Sequence, residues 1–141
     1  MSNIEQSQVN MVVQMLAATD RYKNTDFSKP VLMFLPLDEQ KHKDTVLLDM
    51  AKLSKQENMA EGLNNLKEAK VQRFQSVIRF PDGSDACPGD YLLEEDKVGG
   101  QPTATFLAKM KTWADRATAN PSSAKQFWAS FAQSTEKYRP S

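Results

Sequence analysis

Between Thr103 and Tyr138 the apolar side chains return every three or four residues, the spacing that gathers them on one side of an α-helix. Phe106, Met110, Trp113 and Ala117 form one stripe, widened by Leu107 and Ala114. Ala124, Phe127, Trp128, Phe131, Thr135 and Tyr138 form a second, opposite Gln126, Ser130, Gln133 and Lys137. Between the two runs, Asn120 suits an N-cap and Pro121 the first helical position, where a missing N–H leaves no hydrogen bond unmade. The pattern predicts an antiparallel helical hairpin. Each large side chain it fully buries is worth about 1.5–3 kcal/mol, so its aromatics would dominate the core.

The N-terminal run from Ser2 to about Thr19 is also helical in period, but it has two apolar faces. Val9, Val12, Val13 and Leu16 make one, while Ile4, Met11, Met15 and Ala18 lie roughly opposite, separated by narrow strips of Gln and Asn. Such a helix is either packed centrally between others, or it keeps the valine face for its own core and offers the methionine face to a partner. Methionine suits the second role because its unbranched thioether adapts to what it meets. Ile4, Met11 and Met15 are therefore candidate interface residues.

Pro30 and Pro36 bracket the apolar run Val31-Leu32-Met33-Phe34-Leu35. A proline at each end argues against a long helix. The run reads as an extended or single-turn segment lying across the helices with Phe34 as its anchor, or as an exposed docking strip in which Phe34 meets a partner. Asp38 then suits the N-cap of a helix in which Val46, Met50 and Leu53 align beside Leu47 and Ala51. Ser54 and Glu57 have capping-box spacing and predict a new helix after a kink. Its stripe is Met59, Leu63, Leu66, Phe74 and Val77, with the stem of Lys70 along the same line. Phe74, Ser76, Ile78 and Phe80 alternate as a strand would, yet Gln72, Arg73 and Gln75 favour helix, which is expected to run to about Arg79.

Residues 81–101 hold the turn formers Pro81-Asp82-Gly83, Cys87-Pro88-Gly89 and Gly99-Gly100 and are expected to form one long loop, with a short hairpin or a helical turn near Tyr91-Leu92-Leu93. Asp82, Asp85, Asp90, Glu94, Glu95 and Asp96 stand there against Lys97 alone, an acidic belt between two mildly basic regions. Glu94, Glu95 and Asp96 join the candidate interface on that ground.

Composition narrows the chemistry. A chain of 141 residues fits one domain with a core of its own, 1–141, and 18 basic residues balance 18 acidic ones, which disfavours nucleic acid as the main partner. One cysteine excludes an internal disulfide or a multi-cysteine zinc site and points to a reducing, cytoplasmic setting. No run has the length of a membrane-spanning helix, and no signal peptide is recognisable. An EF-hand register begun at Asp82 puts Ala86, Cys87 and Leu93 where a ligand, the turn glycine and the closing glutamate belong. Cys87 lies between Asp85 and Asp90, which would raise a thiol's pKa, and His42 between Lys41 and Lys43 reads as a surface residue. Lys67, Lys70, Arg73 and Arg79 are too dispersed for a phosphate-reading stripe. Neither a cofactor nor a catalytic group is expected. The reading is an all-α fold, an irregular antiparallel bundle of four to five helices with an acidic loop over 81–101. Its expected function is non-catalytic protein contact, as an adaptor, assembly component or inhibitor that meets a protein partner or a second copy. A nucleic-acid-binding regulator is the second reading, and a small thiol or carboxylate enzyme the third.

Overall fold

The computed structural model describes residues 6–122. Within it, the proline-bracketed run is the centre of a β-sheet: β1 (Val31–Pro36) is buried at every position. Successive strand side chains point to opposite faces, so a strand covered on both faces needs apolar residues throughout and loses its alternation. β1 pairs antiparallel with β2 (Val46–Leu48) on one side, Phe34 opposite Val46, and with β3 (Arg73–Arg79) on the other, Phe34 opposite Ser76. β4 (Asp85–Leu92) adds to β3, giving the order β2-β1-β3-β4.

Helices cover both faces. On one, Val9, Val12 and Leu16 of α1 (Gln6–Leu16) pack on Val31, Met33, Leu35, Leu47 and Val77. On the other, Leu32, Phe34, Phe74 and Ile78 meet Met59, Leu63 and Leu66, together with Phe106, Leu107 and Met110. Those two helical stripes belong to α4 (Gln56–Glu68) and α5 (Thr103–Ala119), which follow the single turns α2 (Asp20–Lys23) and α3 (Met50–Leu53). The expected all-α bundle is thus corrected to three layers, helix, antiparallel sheet and helices. No helix among the described residues is long and apolar enough to cross a membrane.

The local corrections have physical causes. Asp38 does cap, its Oδ1 accepting from Gln40 N at 3.0 Å, but it opens only a 3-10 segment, Glu39–Asp44. The chain then enters β2, and Asp49 caps α3 by accepting from Lys52 N at 3.2 Å. Ser54 and Glu57 form no capping box, because the Ser54 hydroxyl donates to Ala51 O at 2.8 Å and α4 begins after Lys55 with no side-chain cap. α4 ends at Glu68, nine residues before the last member of its apolar line, Val77. Val71 N donates to Leu66 O and Lys70 N to Lys67 O, both at 3.0 Å, the paired bonds of a Schellman closure, with Lys70 at φ 65°. Phe74 and Val77 consequently stand on β3, on opposite faces of the sheet.

The expected long acidic loop is largely sheet. β3 and β4 are joined through a turn with Gly83 at positive φ, and β4 carries an irregularity opposite Ser76 and Ile78. A small hairpin follows, β5 (Lys97–Val98) against β6 (Gln101–Pro102), turned by Gly99 and Gly100 at φ 61° and 79°. Two successive positive φ values match the right-handed strand twist, which is why this turn takes glycine twice. Phe74, Tyr91 and Phe106 then lock β3, β4 and α5 together, Tyr91 and Phe106 meeting edge to face with centroids 4.9 Å apart. Of the α5 stripe, Trp113 is only partly buried, so it is not the core anchor its spacing suggests. The second half of the expected hairpin, with Trp128, lies outside the described residues.

Candidate functional site

With its valine face on the sheet, α1 turns Met11 and Met15 outward, 68% and 49% exposed. They are four residues apart and so neighbours on one side of the helix. Beside them opens a hollow of about 290 Å³, walled by Met11, Val12 and Met15 from α1 and by Glu39 and His42 from the 3-10 segment. Three residues per turn stack Glu39 and His42 on one side of that segment, which is how both reach the same wall. The His42 Nε2 is screened from solvent and has no hydrogen-bond partner among the described residues. Burial lowers the His42 pKa, opposed by the carboxylates of Glu39 and Asp38, and so favours the neutral ring. Over its whole length α1 carries no charged residue. The arrangement offers protruding thioethers beside a mainly apolar recess: it can seat an apolar side chain.

Sequence reasoning placed Met11 and Met15 here and missed Glu39 and His42. The neighbouring lysines misled it: Lys41 Nζ donates to Ala69 O, at the C-terminal end of α4, 2.6 Å away, and so does not hold His42 on the open surface. The usable signal was the three-residue step from Glu39 to His42 directly after the Asp38 cap.

The other expected sites are not assembled with this one. Phe34 is fully buried in β1 and is presented to nothing outside, so the docking-strip reading is corrected. Ile4 lies outside the described residues. Glu94, Glu95 and Asp96 are exposed beside the β5–β6 hairpin, where Lys67 Nζ donates to the backbone oxygen of Glu95 at 2.6 Å. That hairpin packs with α5, across the sheet from α1. Asp82 and Asp85 are not free acids of a loop either. Asp82 accepts from Ser84 N at 3.0 Å inside the turn, and Asp85 is buried and paired with Arg79, Nε to Oδ1 3.1 Å and Nη2 to Oδ2 3.0 Å. Arg79 also donates to Asn10 Oδ1, tying α1 to β3. Burial raises the Asp85 pKa to about 6 despite the arginine, and raises that of Asp90 as well. Cys87 stands on β4 rather than in a loop.

A second hollow, about 310 Å³, lies between β2 and α4, with Arg21, Asp44, Lys52, Asn58, Glu61 and Asn65 in its lining. Its charges are mixed and partly committed. Arg21 donates to Thr45 O at 2.6 Å and to Lys43 O, spending its guanidinium on backbone carbonyls beside the edge strand. Among the described residues no three His, Cys, Asp or Glu side chains gather closely enough to hold a metal ion. Comparison of the chain with protein-family models, with curated proteins and with solved structures gave no match.

Proposed function

We propose that this chain is a non-catalytic protein-interaction module, an adaptor, assembly component or inhibitor, that meets another protein chain through the methionine face of α1. The observation that carries the reading is the exposure of Met11 and Met15, 68% and 49%, on a helix whose other face is fully used in the core. Neither side chain contributes to folding in proportion to its size, and a methionine pair beside an apolar hollow is a surface that adapts to a partner's side chains. The dispersion of the basic residues supports protein over nucleic acid. Lys67 and Lys70 sit at the end of α4, while Arg79 is turned into its pair with Asp85. The single cysteine fits a cytoplasmic setting.

The test is a paired capture from an extract of the cells that make the protein, with the parent and Met11→Glu/Met15→Glu immobilised side by side. The variant keeps the parent's circular dichroism and melting temperature within about 2 °C, because both positions are on the surface. Proteins retained by the parent are lost from the variant. Identical retention by both would remove the methionine face from the reading.

A further inference from the structure

Resting on that reading, we propose further that the chain covering the methionine face is a second copy of this protein, its α1 laid against the first about a two-fold axis. A two-fold contact brings a patch onto itself, so each protrusion needs a recess within the same patch. This surface has both: Met11 and Met15 project directly beside the 290 Å³ hollow that they share with Val12, Glu39 and His42. The unbranched methionine side chain can turn into such a recess without moving backbone.

Electrostatics are compatible with the same occupant. A self-contact sets every charge on the patch against its own image, and like charges brought together oppose docking. α1 carries none from Gln6 to Leu16, and the whole chain balances 18 bases against 18 acids, so two copies approach without long-range repulsion. Among the described residues that wall the hollow, Glu39 is the one carboxylate, beside the His42 imidazole. A strongly acidic or basic partner would find no counter-charge along the helix. A contact centred on two methionines and one hollow is weak and reversible, populated only toward high micromolar concentration.

Sedimentation equilibrium of the purified protein from about 10 µM to about 1 mM tests this. The parent passes from monomer to dimer, and Met11→Leu/Met15→Leu, which keeps the face apolar, does so within a few-fold of the same concentration. Met11→Glu/Met15→Glu and Met11→Lys/Met15→Lys each stay monomeric, and an equimolar mixture of the two regains dimers because image positions now attract. A parent that dimerises while the glutamate variant dimerises equally puts the contact elsewhere and overturns the proposal. A parent that is monomeric throughout also overturns it, while leaving the methionine face to a different protein. If both charged variants lose their circular dichroism signal, the face belongs to the core, and the proposal falls together with the reading beneath it.

Discussion

At Asp85 two electrostatic effects oppose each other. The forked contact with Arg79 favours the carboxylate, yet the side chain is only 1% exposed, and the loss of water outweighs the guanidinium and lifts its pKa to about 6. Because the folded value lies above the unfolded one, 3.8, the ionised group costs stability at neutral pH. That cost is relieved as pH falls through about 6 and is gone below the unfolded value. Asp85→Asn keeps the shape and cannot ionise. From pH 7.5 to pH 4, parent stability should therefore rise relative to Asp85→Asn by up to roughly 3 kcal/mol in urea unfolding. A difference that stays flat, or moves the other way, means the arginine dominates. Asp85→Ala serves as the contrasting case, since it strips Arg79 of its carboxylate in a mostly buried place and should cost about 3–5 kcal/mol at neutral pH.

Among the elements, α4 shows how a helix end is set by hydrogen bonding when the apolar period continues past it. Leu66 and Val71 are both buried, and their contact closes the Schellman turn around Lys70. A lysine at φ 65° holds its Cβ against the following carbonyl, a strain glycine does not feel. Lys70→Gly is accordingly expected to stabilise the fold by about 1 kcal/mol, read as a raised urea midpoint with an unchanged slope. A lowered midpoint would mean that the lysine stem contributes more by packing than its backbone costs. The same helix holds Gly62 for the opposite reason: a Cβ there would lie 2.7 Å from Val46 Cγ1, so the glycine is a requirement of close packing on β2.

For the molecule as a whole, β1 is the organising element, paired on both edges and buried on both faces. Phe34 lies 5.2 Å from Phe74 by ring centroid and joins the sheet to the α4 and α5 layer, while Met33 serves the α1 layer. Opening β1 breaks both cores at once, so its amide hydrogens should exchange slowest and only through global unfolding. Phe34→Ala should cost about 3–5 kcal/mol and speed exchange in both helical layers together. Faster exchange confined to α4 and α5 would instead make the two layers separate folding units.

How much of this was legible in the chain follows from the range of the interactions involved. The core stripes of α1, α4 and α5, the Asp38 cap, the Gly99-Gly100 turn and the bare methionine pair are written locally, because helix and turn hydrogen bonds join residues a few positions apart. By itself, then, the sequence determined the apolar faces of these three helices, but the helix expected from Asp38 through Leu53 became a 3-10 segment, a strand and a single turn. The sequence did not determine the strands. Phe34 finds Val46 on one side and Ser76 on the other, and neither neighbour marks the run Val31–Pro36 as a strand until all three meet. Phe74 and Val77 fit a helical line as well as an alternating one, and only pairing with β1 and β4 decided between them. Tertiary structure likewise decided which α1 face is covered, since both are apolar and one sheet face can bury only one of them. It also carried Glu39 and His42 to the uncovered face, a juxtaposition fixed by packing between segments more than twenty residues apart.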